Sequence, residues 1–456
     1  MTISRFSLAV ASTLALPLTA LAAPPTLVFD AESLRDALAN GDSKIVIQGG
    51  TGVIDIDETL EYSGTDLLTI KGNGAEIVYT GPKEDSGPIL FLSAGADLSI
   101  TNLSLRGQGG FNINEQGGGK GIFVQVPSDR EGVVSVKLTK VSVFGTGNHG
   151  VHVSDCSLGD DCGAGQGGGG DGSDASVWVD LKSVTVDGVG FGKQDADGVR
   201  VDDRGAGDIV FTAVNSSFVN VGADGVELDE GNEGSVQVSA RNLTFDSNGA
   251  YCDPEILEPL LEEFLNGQAD EAEFAKGERF PEELAGPVTG TPDDICIEYE
   301  IDLYDDGSVE AYEYGIDVDD AFDIDEDGPG GIFGMLTNLT IVDNLDEGLD
   351  FDTAGSEGDN AVDLSIARVE ASGNGDEAIK VSEEGNASVY VDMRALRIEG
   401  DVEVEEENDG DLAVTISGSR IGDDLKLSEE DAGAGTAALN GTTVVDEKDF
   451  NNVLEI

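Results

Sequence analysis

A short motif recurs seven times along this chain. A turn residue, usually Gly, is followed by two apolar residues at period 2: Gly121-Ile122-Phe123-Val124, Gly150-Val151-His152-Val153, Gly198-Val199-Arg200-Val201, Gly225-Val226-Glu227-Leu228, Gly315-Ile316-Asp317-Val318, Gly348-Leu349-Asp350-Phe351 and Ala378-Ile379-Lys380-Val381. Most steps between copies are 27 to 33 residues. A strand of a few residues cannot bury an apolar edge alone, but successive copies can stack and share a core. The pattern therefore predicts an all-β parallel solenoid over residues 23–456, with rungs about 4.8 Å apart. A β-propeller would need longer units of about 40–45 residues.

Two steps are longer. The one from Gly150 to Gly198 carries a Gly-rich loop, 156–174, whose Gly167–Asp174 run faintly resembles a calcium nonapeptide and reads better as a flexible linker. The one from Gly225 to Gly315 carries the Cys-bracketed segment 252–296. Within it, Pro254 to Leu265 has helical apolar spacing with Pro near its start, which predicts a helical excursion from the solenoid. A short amphipathic helix is also expected at Ser33-Leu34-Arg35-Asp36-Ala37-Leu38, ahead of the first strands.

Residues 1–22 read as a secretory signal: Arg5, an apolar stretch from Phe6 to Leu18, and Ala20-Leu21-Ala22 as cleavage site. The chain is thus expected in a bacterial periplasm or outside the cell, with no inserted membrane span. Four cysteines in an exported chain favour disulfides, and pairing neighbours gives Cys156–Cys162 and Cys252–Cys296. Zinc is disfavoured, because there is no C-x2-C pair and only 2 His. With 92 Asp+Glu against 24 Lys+Arg and a net charge of −68, a nucleic-acid binder working through basic side chains is excluded, and the same charge argues against docking on anionic lipid. A polysaccharide or a cationic surface is the kind of partner that remains; the oligomeric state is left open.

The Ser33-Leu34-Arg35 cap, the Ile45-Val46-Ile47 strand and the run Leu68-Thr69-Ile70-Lys71-Gly72-Asn73-Gly74 resemble the start of right-handed parallel β-helix proteins of the pectin-lyase-like superfamily. The resemblance implies that fold over most of the mature chain. It implies either a non-catalytic surface protein or a carbohydrate-active enzyme, such as a lyase that uses Ca²⁺ and an Arg or Lys base, for which Arg200 and Lys380 stand in the right column. The order of motifs in polygalacturonase-like members is not reproduced: Asn148-His149-Gly150 precedes the Asp pairs and no Arg-Ile-Lys follows.

Registering the repeats lines up acids on successive rungs. Asp197, Asp224 and Glu347 stand before the Gly; Glu227, Asp317 and Asp350 stand between the apolar pair; Asp202, Asp229, Asp319 and Asp352 follow, then Asp203, Glu230 and Asp320. Stacked like charges repel by roughly 1 kcal/mol per pair in water, and more near protein. Raised pKa values, diffuse counterions or bound divalent cations relieve that repulsion. Asp323-Ile324-Asp325-Glu326-Asp327-Gly328 also resembles the first half of an EF-hand loop, although Gly334 stands where a closing Glu is needed, so Asp319 or Asp320 would have to complete the shell. Ca²⁺ is accordingly the expected cofactor. Acidity as adaptation to high salt is the competing explanation. His149 and His152 are read as a surface pair, or with Asp155 as a small metal or acid–base cluster.

Overall fold

Strands of four or five residues with apolar side chains on alternate positions need a partner above and below, and here each finds it in the next coil. In the computed structural model, which describes residues 24–84, 86–156, 172–280, 296–303, 308–355, 361–430 and 432–456, the chain is an all-β parallel solenoid. One face is a nine-stranded parallel sheet running Leu60–Tyr62, Leu90–Leu92, Ile122–Gln125, Val151–Ser154, Val199–Asp203, Val226–Glu230, Phe322–Glu326, Asp350–Thr353 and Lys380–Glu383. Val151 pairs with Val199, Val199 with Val226 and Val226 with Phe322, so apolar side chains repeat inward rung after rung. The face continues through Val402–Glu406 and Leu425–Glu429 after a bridge between Ile379 and Val402.

The rest of each coil belongs to a 19-stranded sheet of longer strands such as Ile209–Val219 and Val236–Asp246. These bend once at a left-handed residue, which is Asn215 (φ 53°), Asn242 (φ 56°) and Asn338 (φ 62°) on successive coils. Asn suits that conformation, and its side chain bridges rungs: Asn242 Nδ2 donates to Asn215 Oδ1 at 2.7 Å. Inside, Phe218, Phe245 and Phe322 stack at 5.2 and 5.7 Å, and Phe351 meets Phe322 edge to face at 5.5 Å. Each side chain of this size buried contributes about 1.5–3 kcal/mol.

The recurring Gly of the motif has a packing cause. A Cβ on Gly121, Gly150, Gly198 or Gly225 would run into the carbonyl oxygen one coil on. A second glycine ladder, Gly207, Gly234 and Gly330, turns the chain after the sheet, and there too a Cβ would overlap the neighbouring coil's backbone.

That turn carries a device absent from the sequence reading. The last residue of each sheet strand points inward, and the position reads Asp203, Glu230, Glu326, Thr353, Glu383, Glu406 and Glu429 in turn. The acids cap the following turn: Glu230 accepts from Gly234 N (3.2 Å), Glu326 from Gly328 N (2.9 Å), Glu383 from Gly385 N (2.9 Å) and Glu406 from Gly410 N (2.8 Å). The second oxygen of Asp203, Glu326, Glu383 and Glu406 is buried without a partner among the described residues. Asp203, read as an outward metal ligand, is therefore a turn cap. Burial, and then Asp155, pushes Asp203 up to about 8; burial pushes Glu383 to about 7 and Glu230, helped by Glu326, to about 10.

An acid whose pKa is raised on folding stabilises the fold below its unfolded value and loses that contribution as pH rises through the folded one. For Glu383 the window runs from about 4.5 to about 7. In chelator, thermal unfolding followed by circular dichroism is expected to show a melting temperature that falls from pH 5 to pH 8. Glu383→Gln, which keeps an oxygen for Gly385 N, is expected to flatten part of that slope and melt a few degrees higher at pH 8.

The amphipathic segment near the N-terminus is helix α1 (Ala31–Ala39). Asp30 accepts from Ser33 N at 2.8 Å as its cap, and Leu34, Ala37 and Leu38 seal the first coil. The excursion contains helix α2 (Pro254–Leu265) and a three-stranded antiparallel sheet of Glu271–Glu273, Val309–Ile316 and Ile297–Leu303. Cys252–Cys296 is bonded and buried with Tyr251 and Leu257 against Ile113 and Phe191 of the solenoid loops. Cys162, the expected partner of Cys156, lies outside the described residues, as do residues 1–22, expected to be a secretory signal, and residues 157–171 of the Gly-rich loop.

One copy of the motif is not a rung of the solenoid. Gly315 and Ile316 end a strand of the antiparallel sheet, and the true rung is Phe322–Glu326, which opens on Ala321. Asp317 and Asp319 therefore do not share the columns assigned to them. Asp317 accepts from Gln194 Nε2 at 2.6 Å, beside the excursion. The 323–328 segment is a straight strand and its exit, and so is no EF-hand loop: Asp323 and Asp325 point to one face because they are two residues apart on a strand.

Candidate functional site

Three outward columns run along the nine-stranded face. The central one reads Phe91, Phe123, His152, Arg200, Glu227, Asp323, Asp350 and Lys380. Beside it on the exit side stand Ser154, Asp202, Asp229, Asp325, Asp352 and Ser382. On the entry side, backbone hydrogen bonds align His149, Asp197, Asp224, Asp320, Glu347 and Glu377. Asp320 thus joins Asp224, whose Oδ1 accepts its N–H at 2.5 Å, rather than Asp203. Asp327 falls past the strand, where its N–H reaches the carbonyl of Glu230.

The columns contain their own cations. Arg200, 2% exposed, reaches Asp202 through Nε (2.6 Å), Asp229 through Nη2 (3.2 Å), and Asp195 (2.9 Å), Asp197 (3.4 Å) and Glu227 through Nη1. Arg204 binds Asp229 as well. Lys380 lies 2.9 Å from Asp350, 3.5 Å from Asp352 and 3.8 Å from Glu347. Two coils on, Lys426 serves Glu377 and Glu403.

Between Arg200 and Lys380 the strip is uncompensated. The carboxylates of Asp323 and Asp325 make no hydrogen bond or ion pair among the described residues. Burial, then neighbouring carboxylates, holds Asp224, Asp320 and Asp323 well above the usual range and raises Asp325 to about 6. Asp320 Oδ1, Asp350 Oδ1 and Asp352 Oδ1 are buried without partners among the described residues, and Asp320 and Asp350 are 8% and 9% exposed. Three groups bring one oxygen from each member within 4.8 Å of the others: Asp195–Asp197–Glu227, Glu227–Asp323–Asp325 and Asp320–Glu347–Asp350. Converging hard oxygens of this kind can hold a cation.

Asp197, Asp224, Glu227, Glu347 and Asp350 stand in the columns that registering the repeats predicts, whereas Asp320 was expected beside Asp203, Asp323 and Asp325 were expected in a calcium loop, and Asp195 was not singled out. Its one signal is its place two residues before Asp197. Asp202, Asp229 and Asp352 are close by, yet each faces a resident Arg or Lys.

The histidines are not a surface pair. His149 and His152 are 3% and 1% exposed, and their rings lie 4.6 Å apart. His152 Nε2 meets Asp202 Oδ2 at 2.6 Å and its Nδ1 meets Lys120 Nζ at 2.6 Å, while His149 Nδ1 accepts from Asp197 N at 2.9 Å. Burial, and then Lys120, drives His152 down to about 4, so it is neutral near pH 7. Burial pushes Asp202 up, but Arg200 and His152 overcome it and hold the carboxyl well below its ordinary value. Asp155 lies elsewhere, accepting from Ser173 N (2.5 Å) and Arg204 N (2.7 Å), so the imagined His–His–Asp cluster does not form.

The fold and this strip define a parallel solenoid with an acidic face. No family model matches the chain, and no curated protein matches it. Among solved structures it is similar to "Geobacillus virus E2 - ORF18", with a TM-score of 0.40 and 10% identity, over 92% of this chain and 58% of that one. The chain therefore spans little more than half the length of that structure. No helix among the described residues is long and apolar enough to cross a membrane.

Proposed function

We propose that this protein is an exported solenoid that binds divalent cations, Ca²⁺ first among them, on the strip between Arg200 and Lys380. On this reading it is a right-handed β-helix of the pectin-lyase-like kind that its N-terminal residues resemble, acting in the periplasm or outside the cell. The observation that carries the proposal is the set of partnerless buried oxygens at Asp320 and Asp350, beside the unpaired carboxylates of Asp323 and Asp325. Carboxylates left this way are stable only with a cation or a proton between them. Ca²⁺ takes six to eight oxygens, and three carboxylates leave room for water or a partner's hydroxyl and carboxylate groups. An envelope or extracellular polysaccharide could supply these, with the ion bridging two acidic surfaces that otherwise repel.

A Ca²⁺-dependent lyase is the alternative. Its base would be Arg200 or Lys380, but five carboxylates hold the first and three hold the second, which favours the protonated, non-catalytic form.

Thermal unfolding in EDTA and in millimolar Ca²⁺, at fixed ionic strength, tests the proposal. Each site filled at a hundredfold excess over its Kd is expected to add about 2.7 kcal/mol of stability. An equal rise in matched NaCl would mean that the acidity answers salt alone.

A further inference from the structure

Of the three carboxylate groups on the strip, the first differs from the others. Asp195, Asp197 and Glu227 all contact a single atom, Arg200 Nη1. The oxygens that converge there converge on a nitrogen that carries positive charge at every pH a protein survives. Asp197 has no spare oxygen, since Oδ2 faces Arg200 and His149 while Oδ1 accepts the N–H of Asp224 at 3.1 Å. The third group is built otherwise. Lys380 takes Asp350 Oδ2 and lies 3.8 Å from Glu347 Oε1, but Asp350 Oδ1 and Asp320 Oδ1 remain buried and unpartnered among the described residues. In the second group Asp323 and Asp325 have no cation of their own, and only Glu227 is shared with Arg200.

We infer that Arg200 is a tethered cation filling the first of the three carboxylate groups, so that the strip takes two metal ions and ends at Arg200. This inference rests on the cation-binding reading and adds the count of ions, their places and the residue that sets the boundary. The two ions lie on neighbouring rungs, one at Glu227–Asp323–Asp325 and one at Asp320–Glu347–Asp350. A guanidinium on a fixed backbone cannot leave, so the first position is closed at any Ca²⁺ concentration.

The test is a count of Ca²⁺ bound to the full chain, by equilibrium dialysis and calorimetric titration. The wild type is expected to bind two ions. Asp195→Asn, a change at a side chain 42% exposed, is expected to bind two ions with affinity unchanged within twofold, because its partner is Arg200. Arg200→Met is expected to bind three, and to gain more in melting temperature from Ca²⁺ than the wild type. Loss of an ion in Asp195→Asn would overturn the inference, as would a count of two in folded Arg200→Met. If Arg200→Met is unfolded in chelator, Ca²⁺ is expected to refold it, and failure to refold would count against the inference too. A wild type that binds no Ca²⁺ overturns the cation-binding reading itself, an outcome distinct from all of these.

Discussion

Gly234→Ala is expected to destabilise the solenoid by about 4 kcal/mol or more, at the upper end of what single substitutions do. The added methyl would sit inside the carbonyl of Gly207 on the preceding coil, with Glu230 Oε1 pressing from its own coil at 2.5 Å. Neither neighbour is the free end of a flexible chain. Gly207 O is backbone, and Glu230 is pinned by the turn N–H groups it caps. Relief would require parting two coils whose strands pair continuously from Ile209↔Val236 to Val219↔Asp246. Denaturant unfolding should show a large drop in midpoint. By contrast, alanine already occupies positions 321 and 378 of the other ladder, so Gly348→Ala, whose methyl would press on the Ala378 carbonyl oxygen and approach Asn374 Nδ2 to 2.9 Å, is expected to cost less.

Asp323→Asn is expected to act with opposite signs in two buffers. In chelator it removes a charge from a stretch in which burial and the carboxylates of Asp325, Asp224 and Asp320 already oppose ionisation. Relief of even one such repulsion is worth roughly 1 kcal/mol in water and more in a drier setting, so the variant should melt above the wild type. In saturating Ca²⁺ it should melt below, because a ligand of the second ion is lost together with up to about 2.7 kcal/mol of linkage stabilisation at a hundredfold excess. A surface change such as Asp363→Asn, far from the strip, is expected to show no crossing. Differential scanning calorimetry of both variants in both buffers provides the check.

The architecture was legible because its cause is local. Alternation at Val199-Arg200-Val201 and Val226-Glu227-Leu228 decides which side chains face the core, and the Gly before each pair marks where coils approach. The same rule misled at Gly315, which imitates a rung in letters, while the true rung opens on Ala321 and lacks the glycine. The carboxylate ladder at Glu230, Glu326, Glu383 and Glu406 was hidden by the strand's last step. There, alternation turns a side chain inward, and a charged residue inside the coil is unexpected until the turn N–H groups that hold it are seen. Contacts such as His152 with Asp202, 50 residues apart, and Lys120 with His152, 32 apart, depend on coil length and could not be read from spacing alone. The columns could be drawn from sequence. Which of their members face resident cations could not, because that depends on where the long side chains of Arg200 and Lys380 come to rest.

The excursion leaves the stack undisturbed. Val226–Glu230 pairs directly with Phe322–Glu326 and Val236–Asp246 with Ile332–Val342, while Asn248 Nδ2 donates across to Asn344 Oδ1 at 2.9 Å. The strands of these two coils pair in register on both sheets across the point where the excursion leaves. The rod is thus continuous beneath the disulfide-bound knob, so this corner can accept a longer or shorter segment while the shaft keeps its register.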